Sequence, residues 1–163
     1  MAGELARTHL ALRSGRPEAV WATLRHLWNH QASPGLYTWD APRPTTGDIS
    51  DGWQYARGWH NESVISPDYE IAALLLQLQQ DMLAYVDDAA AAPTVVVGAG
   101  IIPAWLSQPM AVAGLALPGG SIDWQWDGHT MRVTLRGPSR LIHLGAAFPT
   151  GTAVAVVHES QPS

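Results

Sequence analysis

The groups of this chain best suited to chemistry share the stretch from Gly35 to Glu70, where Tyr37, Trp39, Trp53, Tyr55, Trp59 and Tyr69 alternate with Asp40, Asp48, Asp51, Glu62, Asp68 and Glu70. That mixture suits a sugar. An aromatic face packs against the C–H side of a pyranose, while carboxylates and amides such as Asn61 take its hydroxyls, and Arg57 and His60 stand beside them. Two of the carboxylates could form a glycosidase pair, since glycoside hydrolysis needs one acid and one base or nucleophile held at a set separation across the bond. Spacing in sequence does not give that separation. Asp48, Asp51 and Asp68 have a competing role as caps of turns and helix starts, so Glu62 and Glu70 are the better candidates near a ligand, with a solvated surface as their alternative. Trp39, Trp53 and Trp59 either stack on sugar rings or staple the loop against its neighbours.

Other constellations carry less. His26 and His30 have the i, i+4 spacing of a helical metal pair, but no acid lies between them and no third ligand is evident, so we expect packing or surface histidines and no metal. Gly98-Ala99-Gly100 follows a strand-like run and resembles the opening of a dinucleotide fingerprint. The third glycine is missing and Pro103 intervenes, so no cofactor is expected. The sequence has neither a nucleophile elbow nor a phosphate loop.

Composition narrows the partners. The chain has 163 residues, of which 47% are hydrophobic and only 14% charged, so some apolar surface is expected to face a partner. With nine Lys plus Arg and a net charge of −5, a phosphate backbone is a poor ligand and nucleic acid is not expected. There is no cysteine, which fits a reducing compartment. The opening MAGELARTHLALRSG lacks the apolar core of a signal peptide and no later run could span a bilayer, so the expectation is a cytoplasmic protein without membrane contact. Asn61-Glu62-Ser63 matches a glycosylation acceptor, which has no meaning without secretion.

The elements that would position the loop are legible from period and punctuation. Residues 3–13 predict a helix with Leu5, His9, Leu10 and Leu12 inward and Gly15 as its stop. Pro17 opens a second, in which Val20, Trp21, Leu24, Leu27 and Trp28 recur at helical spacing, and the short link makes the two antiparallel. Ser66-Pro67-Asp68 starts a third, running to about Val86 with Ile71, Leu74, Leu75, Leu78, Met82 and Tyr85 as its buried stripe. At Ala89–Pro93 the composition changes, and we place a boundary there between residues 1–92 and 93–163. Beyond it the period becomes alternating, with strands expected at 94–97, 110–116, 121–126, 129–136, 140–144 and 153–158. Ile102–Leu106 reads as a short turn plugging the layer between helices and sheet. Asp127-Gly128 is expected as a two-residue hairpin turn that sets Trp126 opposite His129 and Trp124 opposite Met131, with Ile122, Trp124, Met131 and Val133 buried on one face. The fold class is α+β, N-terminal helices followed by a small antiparallel β-sandwich-like domain.

This order of parts resembles the C-terminal end of bacterial six-hairpin glycosidases, the (α/α)6-barrel proteins similar to α-L-rhamnosidases. The resemblance rests on the helical hairpin, Gly47-Asp48 and Asp51-Gly52-Trp53, the long helix, Ile102–Leu106, Val112-Ala113-Gly114-Leu115 and the Trp-rich hairpin, and it covers nearly the whole chain. It implies a partial α/α barrel closed by a β domain, with Asp51-Gly52-Trp53 lining the barrel mouth. The acid and base of that family lie mostly upstream of the matched region, so the resemblance implies a carbohydrate-site module without catalysis of its own. The competing class is a structural or oligomerisation module. In a partial barrel the two longer helices have only each other and the β unit as neighbours, so roughly three of Trp21, Leu24, Trp28, Leu75, Leu78 and Met82 are expected to stay uncovered, and with them a homo-oligomer or a partner chain.

Overall fold

The computed structural model describes residues 2–29, 41–42, 64–65 and 69–159. Three helices come first, α1 (Ala2–Arg13), α2 (Pro17–Asn29) and α3 (Tyr69–Leu83), with a two-residue ladder of β1 (Ala41–Pro42) and β2 (Val64–Ile65) between the second and third. Seven strands follow, β3 (Ala84–Asp87), β4 (Thr94–Val97), β5 (Met110–Leu117), β6 (Gly120–Trp126), β7 (Thr130–Arg136), β8 (Leu141–Leu144) and β9 (Ala153–Glu159). The fold is α+β. Six of the seven lie where alternation in the sequence predicts them.

Helix α1 stops because Gly15 takes a left-handed conformation (φ 69°), which lets the N–H of Gly15 bond to Leu12 O and that of Arg16 to Ala11 O, both at 3.0 Å. Antiparallel α2 then packs Val20 and Leu27 against Leu5 and Leu12 of α1 and Ile71, Leu75, Leu78 and Met82 of α3. Two inward expectations for α1 are corrected. Leu10 is exposed, because the buried face is the one carrying Leu5, Thr8 and Leu12, with the Thr8 hydroxyl satisfied by Glu4 O at 2.8 Å, and His9 is half-buried at the edge of that face, against α3.

Helix α3 ends at Leu83, three residues before the expected Val86, and the chain enters β3 with no loop between. The cause is a competing set of partners. Gly98 N donates to Leu83 O and Gly100 N to Met82 O, each at 2.8 Å, so the chain turning back from β4 takes the last helical carbonyls, while Ala84 pairs with Val97. Gly100 must be glycine for this approach, since a Cβ would stand 2.7 Å from Met82 Cγ. The boundary drawn at residues 89–93 falls in the turn of the β3–β4 hairpin.

Two sheets make the β part. One has the order β3-β4-β8 and the other β5-β6-β7-β9, and in both the last strand is parallel to its neighbour. These parallel pairs depart from a purely antiparallel domain: β8 crosses to the other sheet and β9 returns, so the link from β7 to β9 passes through the opposite layer. The smaller sheet is central. It turns Tyr85 and Val96 to the helical core and Ala84, Val86, Val95 and Val97 to a second core with Ile122, Trp124, Trp126, Met131, Val133 and Leu135 of the larger sheet. The short turn of Pro103–Trp105 joins the layers, with Trp126 Nε1 donating to Leu106 O at 2.8 Å and Trp105 edge-on to Trp21.

The β6–β7 hairpin corrects the expected register. Trp126 pairs with Met131 and Trp124 with Val133, two residues further along than a two-residue turn gives. Asp127 widens the turn by accepting bonds from the N–H groups of His129 (2.8 Å) and Thr130 (2.7 Å) and from the Thr130 hydroxyl (2.7 Å). A shift of two keeps each side chain on its face, so Ile122, Trp124, Met131 and Val133 are buried as the alternation requires.

Candidate functional site

Of the sequence candidates, Trp39, Asp51, Trp53, Trp59 and Glu62 lie outside the described residues, as do His30 and Asp68. Glu70 is described. It is exposed in the first turn of α3, beside an exposed Tyr69, where its charge complements the positive end of the helix. Ala41 pairs with Ile65 and Pro42 with Val64, so the stretch 43–63 that carries Asp51, Trp53, Trp59 and Glu62 leaves and returns across one antiparallel ladder.

The helices that bracket this stretch form a groove of about 250 Å³. Its walls are Trp21, Leu24, Arg25, Trp28 and Asn29 of α2 with Leu75 and Gln79 of α3. On α2 these side chains share a face because 21, 24, 25 and 28 fall within two helical turns; on α3, 75 and 79 are one turn apart. Trp21 is pinned. Its Nε1 donates to Gly100 O at 2.7 Å, and its ring stands edge-to-face with Trp105 at 5.2 Å. Trp28 lies two turns further on and is 63% exposed, and Arg25 and Asn29 line the groove with it. Sequence reading set Trp28 in one helical stripe with Val20 and Leu27. Its offset of one residue from Leu27 could have shown it at the edge of that face.

Two larger hollows lack such a ring. One of about 430 Å³ lies beside Pro109, Met110, Gln125, Asp127 and Arg132, where Trp126 turns into the core and the Asp127 carboxylate is taken up by its turn, which holds its pKa down at about 2. The other, about 460 Å³, runs from Ile142 to Val154, where Phe148 is buried and the one other ring is the His143 imidazole.

An acid–histidine pair sits between α1 and α3. His9 Nδ1 is 3.6 Å from Asp81 Oδ2, Arg13 is 3.9 Å from the same oxygen, and His9 Nε2 is 3.4 Å from Leu74 O. Burial raises the pKa of Asp81 more than His9 and Arg13 lower it. With both ring nitrogens facing acceptors on α3, the pair joins the two helices rather than opening on a cleft. Arg13 also lies 4.7 Å over the Tyr85 ring, whose hydroxyl is pushed up by burial. Among the described residues no three His, Asp or Glu side chains gather as a metal site, and no helix is long and apolar enough to cross a membrane.

Of the six side chains among which some were expected to lie uncovered, Leu75, Leu78 and Met82 are buried within the chain, Trp21 and Leu24 are half-buried, and Trp28 is exposed. Comparison with protein-family models, curated proteins and solved structures yields no match.

Proposed function

We propose that the chain is a carbohydrate-site module of a glycoside hydrolase-like protein, in which the α2–α3 groove binds one sugar ring against Trp28. The observation that carries this reading is an exposed indole set in a groove whose rim offers a guanidinium and two amides, from Arg25, Asn29 and Gln79. A groove of about 250 Å³ is just below the usual range for whole drug-sized ligands, which suits a single ring. Trp39, Asp51, Trp53, Trp59, Glu62 and Glu70 extend the site in this reading, and the isolated chain binds without turning over, since among the described residues no acid and base flank the groove across a scissile bond.

Calorimetric titration with a panel of oligosaccharides tests it. We expect binding by the whole chain, at least a tenfold loss with Trp28→Ala, and a melting temperature changed little by that substitution. No binding across the panel would sink the proposal. Hydrolysis of an aryl glycoside that is lost with Glu62→Gln or Glu70→Gln would make the chain an enzyme instead. One observation favours a second reading, an interaction module: Trp21, Leu24 and Leu75 make the groove mostly apolar, and Leu76, next to Leu75 in the sequence of α3, stands exposed. In that case Trp28→Ala changes association rather than sugar affinity.

A further inference from the structure

A sheet edge with open backbone groups invites another strand, and natural edges are usually blunted by bulges, charges, prolines or short length. Of the four edges of the two larger sheets, three are blunted. Strands β3 and β8 have four residues each. On β5 a bulge between Val112 and Leu115 interrupts the register, with Gly114 left-handed (φ 67°) and its N–H held by Asp123 Oδ1 at 2.6 Å.

The fourth edge, β9, has no bulge, no proline and no short length, and its one charged residue is at its end. It runs seven residues in unbroken register with β7, from Ala153 opposite Thr130 to Glu159 opposite Arg136, without proline or lysine. Its one carboxylate, Glu159, is bonded to Arg136 of its own chain at 2.8 Å. Both faces are apolar yet open: Val156 is 39% exposed and Val157 54%. Val154, Val156 and His158 share the inward face with Met131, Val133 and Leu135, but only Val154 packs on the core, so the inward face of β9 extends past the cover that the smaller sheet gives.

We propose that β9 pairs antiparallel with β9 of a second copy about a two-fold axis through Val156, joining two four-stranded sheets into one of eight strands. The strand is complementary to itself in that register. Val156 meets Val156, Ala155 meets Val157, Val154 meets His158 and Ala153 meets Glu159, so no like charges stand opposite. An axis normal to the sheet keeps inward faces on one side, and the two overhanging rows then cover each other. The free backbone groups of alternate residues gain partners at the same time. Seven residues a side bury less than the roughly 1,200 Å² of standard interfaces, so the dimer belongs in the micromolar range. It does not involve the α2–α3 groove.

Sedimentation of the full chain from about 1 to 200 μM tests it, with a mass expected to rise from monomer toward twice that value over a micromolar range. Opposed residues in an antiparallel pair have Cα atoms about 4.5–5.5 Å apart, within disulfide reach, and the chain has no cysteine of its own. Val156→Cys should therefore give a covalent dimer under mild oxidation, in large excess over Trp28→Cys. Val156→Lys and Val156→Glu, each checked for a native melting curve, should be monomers alone and regain the dimer when mixed one to one. A monomer at 200 μM with no excess cross-linking at position 156 would overturn the proposal. So would a dimer that survives Val156→Lys or cross-links through Trp28→Cys.

Discussion

Asp127 is the residue whose charge the fold uses most openly. Its carboxylate accepts from the N–H groups of His129 and Thr130 and from the Thr130 hydroxyl, and these bonds favour the ionised form, lowering the pKa from 3.8 to about 2. A depressed carboxylate contributes stability that is present above its unfolded pKa and lost as pH falls through the folded one. We therefore expect Asp127→Ala to melt below the parent at neutral pH, and the gap to close between about pH 3.8 and about 2. Thermal melts of both chains across that window check it; a gap that persists below pH 2 would place the effect in the backbone instead. Asp123, lowered first by the Gly114 N–H and then by Arg136, moves in the same direction. Asp127-Gly128 was legible as a turn. Its width was not, because the number of N–H groups one carboxylate captures is a matter of turn geometry that the dipeptide does not encode.

At the scale of the element, β6 carries two buried tryptophans with different obligations. Trp126 Nε1 donates to Leu106 O, whereas Trp124 Nε1 finds no hydrogen-bond partner among the described residues. Replacing either by Phe removes similar volume, but only Trp126→Phe also leaves a carbonyl unpaired. We expect Trp126→Phe to cost about 1 kcal/mol more than Trp124→Phe in denaturant unfolding; equal costs would show that volume alone matters. Strand positions and buried faces here followed from alternation, which survives any even shift of register. Alternation says nothing about which strand lies beside which, so the parallel pairings of β8 with β4 and β9 with β7 were not legible. Nor was the end of α3, where helical and strand periods coincide over Tyr85 and Val86 and only the turn at Gly98–Gly100 decides. The candidate site divides likewise: the aromatic loop announces itself by composition, while the groove depends on Trp28 being one residue off the buried face.

At the scale of the whole molecule, three layers are stacked, helices on a small sheet on a larger one, and the small sheet belongs to both cores. The direct passage from α3 into β3 has a consequence for motion. Where a helix and a strand share a peptide bond and their junction is tied back by Gly98 and Gly100, there is no hinge at which the layers could breathe separately. The amide protons of Gly98 and Gly100 should then exchange with solvent only through global opening. Their hydrogen-exchange free energies should equal those of Val95 and Val97 in the next strand, and should rise and fall with them in denaturant; faster exchange at the glycines would reveal a seam between the layers.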